Sequence, residues 1–156
     1  MATARPALSL KGCALRLLSQ REHSRAELER KLGGPEVDPE ELTRALDDLQ
    51  AKGFISEARV VESVVHRRAT KLGTARVKQE LQAKGLSPEA MGEALEQLRS
   101  TEVERAREVW RKKFGEAASD ATERAKQMRF LASRGFSADA IRRAVEGQGD
   151  DGDAGL

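Results

Sequence analysis

The sequence predicts an all-α protein: three tandem three-helix repeats forming an elongated, curved right- or left-handed array. Three observations carry that prediction. The first is an internal repeat. Residues 73–98, GTARVKQELQAKGLSPEAMGEALEQL, read as two helices joined by a tight turn. Val77 and Leu81 share a helical face, Gly85 stops the helix, Ser87 is placed to cap the next one, and Pro88 suits its first position. Met91, Ala94, Leu95 and Leu98 then fall on one stripe. A shift of 49 positions upstream matches Leu32, Asp38, Pro39, Glu40, Leu42, Ala45, Leu46 and Leu49 to this unit. A shift of 50 downstream matches Leu131, Gly135, Phe136, Ser137, Asp139, Ile141, Ala144 and Val145.

The second observation is composition: aromatics are 3 %, Tyr is absent, and 35 % of residues are charged, a helix-forming mixture. The third is punctuation, since good N-caps and glycine stops recur at matching offsets. Each copy of roughly 45 residues buries too little apolar surface to stand alone, so neighbouring copies are expected to support one another.

In chain order, residues 1–9 lack periodicity and are expected to be a flexible lead-in. Copy one spans residues 10–55. Leu10, Ala14, Leu15, Leu17 and Leu18 mark its first helix, running to about Glu22; Ser24 with Glu27 has capping-box spacing for the second, which carries Leu28 and Leu32; Asp38 and Pro39 open the third. Gly53, Phe54 and Ile55 form the joint, with both apolar residues expected to pin it. Copy two spans residues 56–99: Ser56 is a candidate cap, and Val60, Val61, Val64 and Val65 give its first helix a buried side. Copy three spans residues 100–147. Thr101 with Glu104 has the spacing to start it, Val103, Ala106, Val109, Trp110 and Phe114 line its first helix, and Ser119 or Asp120 caps its second. Trp110 is expected in the core rather than stacked on bases. Gln148 interrupts the stripe, marking a terminal cap repeat, and residues 148–156 form an acidic, glycine-rich tail expected to be disordered.

Net charge is only +2, but residues 1–55 balance nine bases against nine acids while copy three carries eleven against eight. A mildly basic surface in the last two copies fits a polyanion or an acidic protein groove, as well as a solvated helical surface. Arg67, Arg68 and Lys71 also suit the dipole at a helix C-terminus. Cys13 is the single cysteine, which excludes an intramolecular disulfide or a multi-cysteine metal site, and a reducing, cytoplasmic setting is expected. No apolar run suits a membrane span or a secretory signal. His23 and His66 are expected to be packing or surface residues, no phosphate-binding glycine loop is present, and no catalytic group or cofactor is expected. The helix pairs are similar to helix-turn-helix modules, which leaves an independent DNA-binding protein as the alternative reading.

REHSRAELERKL in copy one, KGFISEARVVESVVHRRATKLGTARVKQEL in copy two and RFLASRGFSADAIRRAV in copy three resemble the bacterial RecX family, in that family's order over about residues 10–146. Ser56 and Glu57 depart from the acidic pair usual there, and Val60 from the common aromatic. The resemblance implies a non-enzymatic regulator of homologous recombination, DNA repair and the SOS response. It would bind the RecA filament on single-stranded DNA and restrain its ATPase and strand exchange. It would act as a monomer, with only weak, nonspecific contact to single-stranded DNA itself. Charge and position nominate Arg67, Arg68, Lys71, Arg76, Lys78, Arg111, Lys112, Lys113, Arg124 and Lys126 as contacts.

Overall fold

The computed structural model describes residues 8–147. They form α1 (Leu10–Gln20), α2 (Arg25–Leu32) and α3 (Pro39–Ala51) in copy one; α4 (Glu57–Arg68), α5 (Thr74–Ala83) and α6 (Pro88–Ser100) in copy two; α7 (Glu102–Lys113), α8 (Ala121–Ser133) and α9 (Ala138–Glu146) in copy three. No strand occurs among the described residues. The expectations for residues 1–7, for Gln148 and for the acidic tail lie outside them.

Local chemistry sets these boundaries. Ser24 and Glu27 form a reciprocal capping box at α2, and Asp38, Ser56, Ser87, Asp120 and Ser137 each accept a backbone N–H bond at the start of their helices. Gly85 (φ 71°) ends α5 and Gly135 (φ 89°) ends α8 in the left-handed region. The N–H groups of Leu86 and Phe136 bond back to Leu81 and Leu131, closing Schellman turns.

Two expectations are corrected. Thr101 makes no side-chain cap, because a single residue separates α6 from α7 and its hydroxyl is turned toward the Gln97 and Leu98 carbonyls. Phe54 is 47 % exposed, so Ile55, 4 % exposed, alone pins that joint.

Each copy has its own apolar core. Ala14, Leu28, Leu42, Leu46, Leu49 and Ile55 form the first. Val60, Val64, Val77, Leu81, Met91, Leu95 and Leu98 dominate the second, and Trp110, Leu131, Phe136, Ile141 and Val145 the third. Trp110 is a core residue whose Nε1–H donates to Gln127 Oε1 at 2.9 Å, satisfying both buried polar groups. The support expected between copies is therefore largely polar rather than a shared apolar core.

That support runs through the middle helices, which meet end to end. The Ser24 hydroxyl at the start of α2 donates to the Lys84 carbonyl at the end of α5 (2.6 Å), and the Gly73 N–H at the start of α5 donates to the Arg134 carbonyl at the end of α8 (2.8 Å). Ser24 and Gly73 are 49 positions apart, Lys84 and Arg134 are 50, so the contacts are repeat-equivalents. A positive helix N-terminus meets a negative C-terminus at both, a favourable pairing of dipole ends.

Candidate interaction site

The junction between copies two and three is a close backbone contact. A Cβ on Gly73 would lie 2.3 Å from the Gly135 carbonyl, so glycine is required there by space rather than by φ. Gly73 offers no capping side chain, and the buried Glu102 carboxylate accepts the Thr74 N–H instead (3.1 Å). Arg105, half-buried on α7, spends all its guanidinium donors here. Nε donates to Thr101 Oγ1; the terminal nitrogens donate to the carbonyls of Ala69, Leu72 and Leu98 and to Thr74 Oγ1. Burial pushes its pKa down, partly offset by the Glu102 charge, but an arginine remains protonated. It binds the ends of α4 and α6 and the start of α5 to copy three.

Beside this joint a cleft of about 840 Å³ opens between the copies. Arg68, Lys71, Arg76, Lys112, Lys113 and Arg134 surround it, against one acid, Glu80. Glu80 answers Arg68 at 3.4 Å, and Lys112 reaches Glu108 only at 3.8 Å. The other four cations have no carboxylate partner among the described residues. Arg76 donates to the Ser133 carbonyl at 2.7 Å, while the heads of Lys113 and Arg134 rest over the Phe130 ring at 5.3 and 4.8 Å. Phe130 also meets Phe114 edge-on at 5.5 Å. Leu72 and Val109 supply further apolar lining.

At the equivalent junction of copies one and two a buried carboxylate, Glu27, sits between the cations Arg21 and Lys84. Glu27 accepts from Arg21 (2.6 Å), Lys84 (3.1 Å) and the Ser24 N–H (3.1 Å). Burial pushes the Glu27 carboxyl up, but these donors together outweigh it and hold the pKa at about 2. Buried His23, its Nδ1 against the Arg21 carbonyl and its Nε2 3.2 Å from Lys31 Nζ, is held below 6.5 by desolvation and by the neighbouring Arg21 and Lys31 charges.

Of the ten residues the sequence nominated, Arg68, Lys71, Arg76, Lys112 and Lys113 converge on the cleft. Lys78 does not, because two residues along α5 turn it roughly 200° away from Arg76. Arg67 and Lys126 are exposed elsewhere, Arg111 pairs with Glu108, and Arg124 pairs with Glu146. Sequence reasoning missed Arg134 and Phe130. The signal for Arg134 was available as the repeat-equivalent of Lys84, whereas Phe130 is recognisable only once α7 and α8 are packed together. Among the described residues no group of three or more His, Cys, Asp and Glu side chains could hold a metal, and no helix is long and apolar enough to cross a membrane.

Fold and cleft define a tandem three-helix-repeat protein with a cation-lined recess between its second and third repeats. Models of the first, second and third three-helix domains of RecX match residues 11–49, 56–95 and 100–145. The chain belongs to the RecX family. It is 59 % identical over 145 residues to a protein of Leptothrix cholodnii called Regulatory protein RecX, covering 93 % of this chain and 92 % of that one. It is 47 % identical over 156 residues to the protein of that name from Ralstonia nicotianae, covering 98 % of each. The crystal structure of RecX from Lactobacillus salivarius shares the fold with a TM-score of 0.72 at 21 % identity, over 88 % of this chain and 93 % of that one.

Proposed function

We propose that this protein binds the RecA filament on single-stranded DNA and acts mainly as an inhibitor of its ATP hydrolysis, growth and strand exchange. The observation that carries the reading is the match of all three repeats to a family whose curated relatives are called regulatory proteins. The physical arrangement supports it. A rod of repeats joined end to end presents separated contact points, and weak contacts along one filament add through effective concentration. A rod bridging successive subunits stabilises one arrangement of the filament and opposes the motions of its ATP cycle. The cations around the cleft are the contact residues with most unneutralised charge. The protein acts as a monomer in the cytoplasm, and its own affinity for single-stranded DNA is weak and nonspecific.

The test is steady-state ATP hydrolysis by RecA from the same organism on single-stranded DNA, with this protein added at rising substoichiometric ratios. A fall that saturates below one copy per RecA is expected. No change in hydrolysis, combined with tight, sequence-dependent binding to duplex DNA in a gel shift, would replace this reading with that of an independent DNA-binding protein.

A further inference from the structure

The two junctions of the rod are built on equivalent positions, and their charges are opposite at one of them. Glu27 in copy one corresponds to Arg76 in copy two, 49 positions on, and Lys84 in copy two corresponds to Arg134 in copy three, 50 positions on. In the first junction the Glu27 carboxylate therefore sits 3.1 Å from the Lys84 ammonium and pairs with Arg21 as well. In the second, Arg76 packs its stem against Gly135, Arg134 lines the same cleft, and neither has a carboxylate partner among the described residues. We propose that the cleft between copies two and three is a docking site for an acidic segment of a protein partner, whose carboxylate takes the place beside Arg76 and Arg134 that Glu27 occupies beside Lys84.

The lining favours protein carboxylates over a nucleic-acid strand. Single-strand binding draws much of its affinity from bases stacked on open aromatic faces. Here Phe130 is already engaged by the Lys113 and Arg134 heads and by the Phe114 edge, and Trp110 is buried at 2 % exposure. The ring instead orders two cations, reducing the entropy lost when they meet an anion. Leu72 and Val109 offer aliphatic surface suited to apolar side chains interspersed among the acids. The inference rests on the filament-binding reading for whose segment this is, and not for its chemistry.

The probe is a short fluorescein-labelled peptide of glutamates interspersed with leucines, titrated with the full chain in the absence of RecA and read by anisotropy. Wild type is expected to bind. Arg76→Glu, which recreates the neutral pairing of the first junction, is expected to weaken binding about tenfold or more. Because Arg76 also bonds the Ser133 carbonyl, the double change Lys71→Glu with Lys113→Glu is the second variant; among the described residues neither ammonium donates a hydrogen bond, and a similar loss is expected. Arg44→Glu, an exposed change of equal charge on α3, should leave affinity within about twofold. Absence of peptide binding, or an equal loss in Arg44→Glu, overturns the proposal. So does an unlabelled single-stranded oligonucleotide that binds more tightly than the peptide and is lost with the same variants. Those results leave the RecA hydrolysis assay untouched, so the two readings fail separately.

Discussion

The junction of copies one and two keeps its helix ends a side chain apart, and that of copies two and three brings them into backbone contact. Ser24 both caps α2 and reaches across to the Lys84 carbonyl with one hydroxyl. Gly73, its equivalent, reaches across with its N–H and leaves capping to Glu102, delivered from α7. The first junction is further held by ion pairs around Glu27, the second by the five-donor clasp of Arg105 on carbonyls and hydroxyls. The placement of helices repeats while the bonds that hold them do not. Pairing Arg21 and Lys84 with buried Glu27 makes the first joint a structural one; holding the second with neutral acceptors leaves four of the cations beside it without a carboxylate partner among the described residues.

The sharpest way to break the comparison is to give the second junction the residue of the first. Gly73→Ser places a Cβ within 2.3 Å of the Gly135 carbonyl and is expected to cost about 3 kcal/mol, read as a lowered urea midpoint. Loss of about 2–3 kcal/mol is expected for Arg105→Ala, which strands three carbonyls and two hydroxyls at once. Hydrogen exchange should then rise at the ends of α4 and α6 while copy one is unchanged; uniform loosening would mean that the junctions are not independent.

Glu27→Gln tests the first junction, where removal of the carboxylate leaves Lys84 partly buried without a counter-charge, at a cost of about 2 kcal/mol near neutral pH. The pH dependence follows from signs. The folded pKa of Glu27, about 2, lies below its ordinary 4.5, so its contribution is complete above pH 4.5 and is lost as pH falls toward 2. His23 acts in the same direction at higher pH: its folded pKa lies below 6.5, so stability is complete above 6.5 and declines on acidification below it. Thermal melts between neutral pH and pH 2 should show Glu27→Gln removing the lower window and leaving the upper one. The smallest effect belongs to Ser24→Gly, the reciprocal exchange. Glycine still caps tolerably, so about 1 kcal/mol is expected, from the lost bond to Lys84.

Much of this was legible in the chain. Asp38, Ser87 and Ser137 announce helix starts that the structure places one residue later, and Gly85 and Gly135 announce stops realised by positive φ. These are local signals, decided within a turn of the chain. Phe54 and Thr101 were misread because their sequences fit a pinned joint and a capping box equally well, and only the neighbouring helices decide which way a side chain faces. Half of the nominated cations meet at the cleft; the rest are distributed around α4, α5, α7 and α8 by helical rotation.

The sequence alone determined the all-helical class, the threefold repetition and which residues form each core, because helix propensity, caps and apolar spacing act over short range. The tertiary structure alone decided that α2, α5 and α8 abut end to end, that Arg105 is a clasp rather than a surface charge, and that the repeat-equivalent positions of Glu27 and Arg76 lie at the junctions between copies. Contacts between residues 60 or 61 positions apart, Ser24 with Lys84 and Gly73 with Arg134, depend on the relative placement of whole helices, which no local signal encodes.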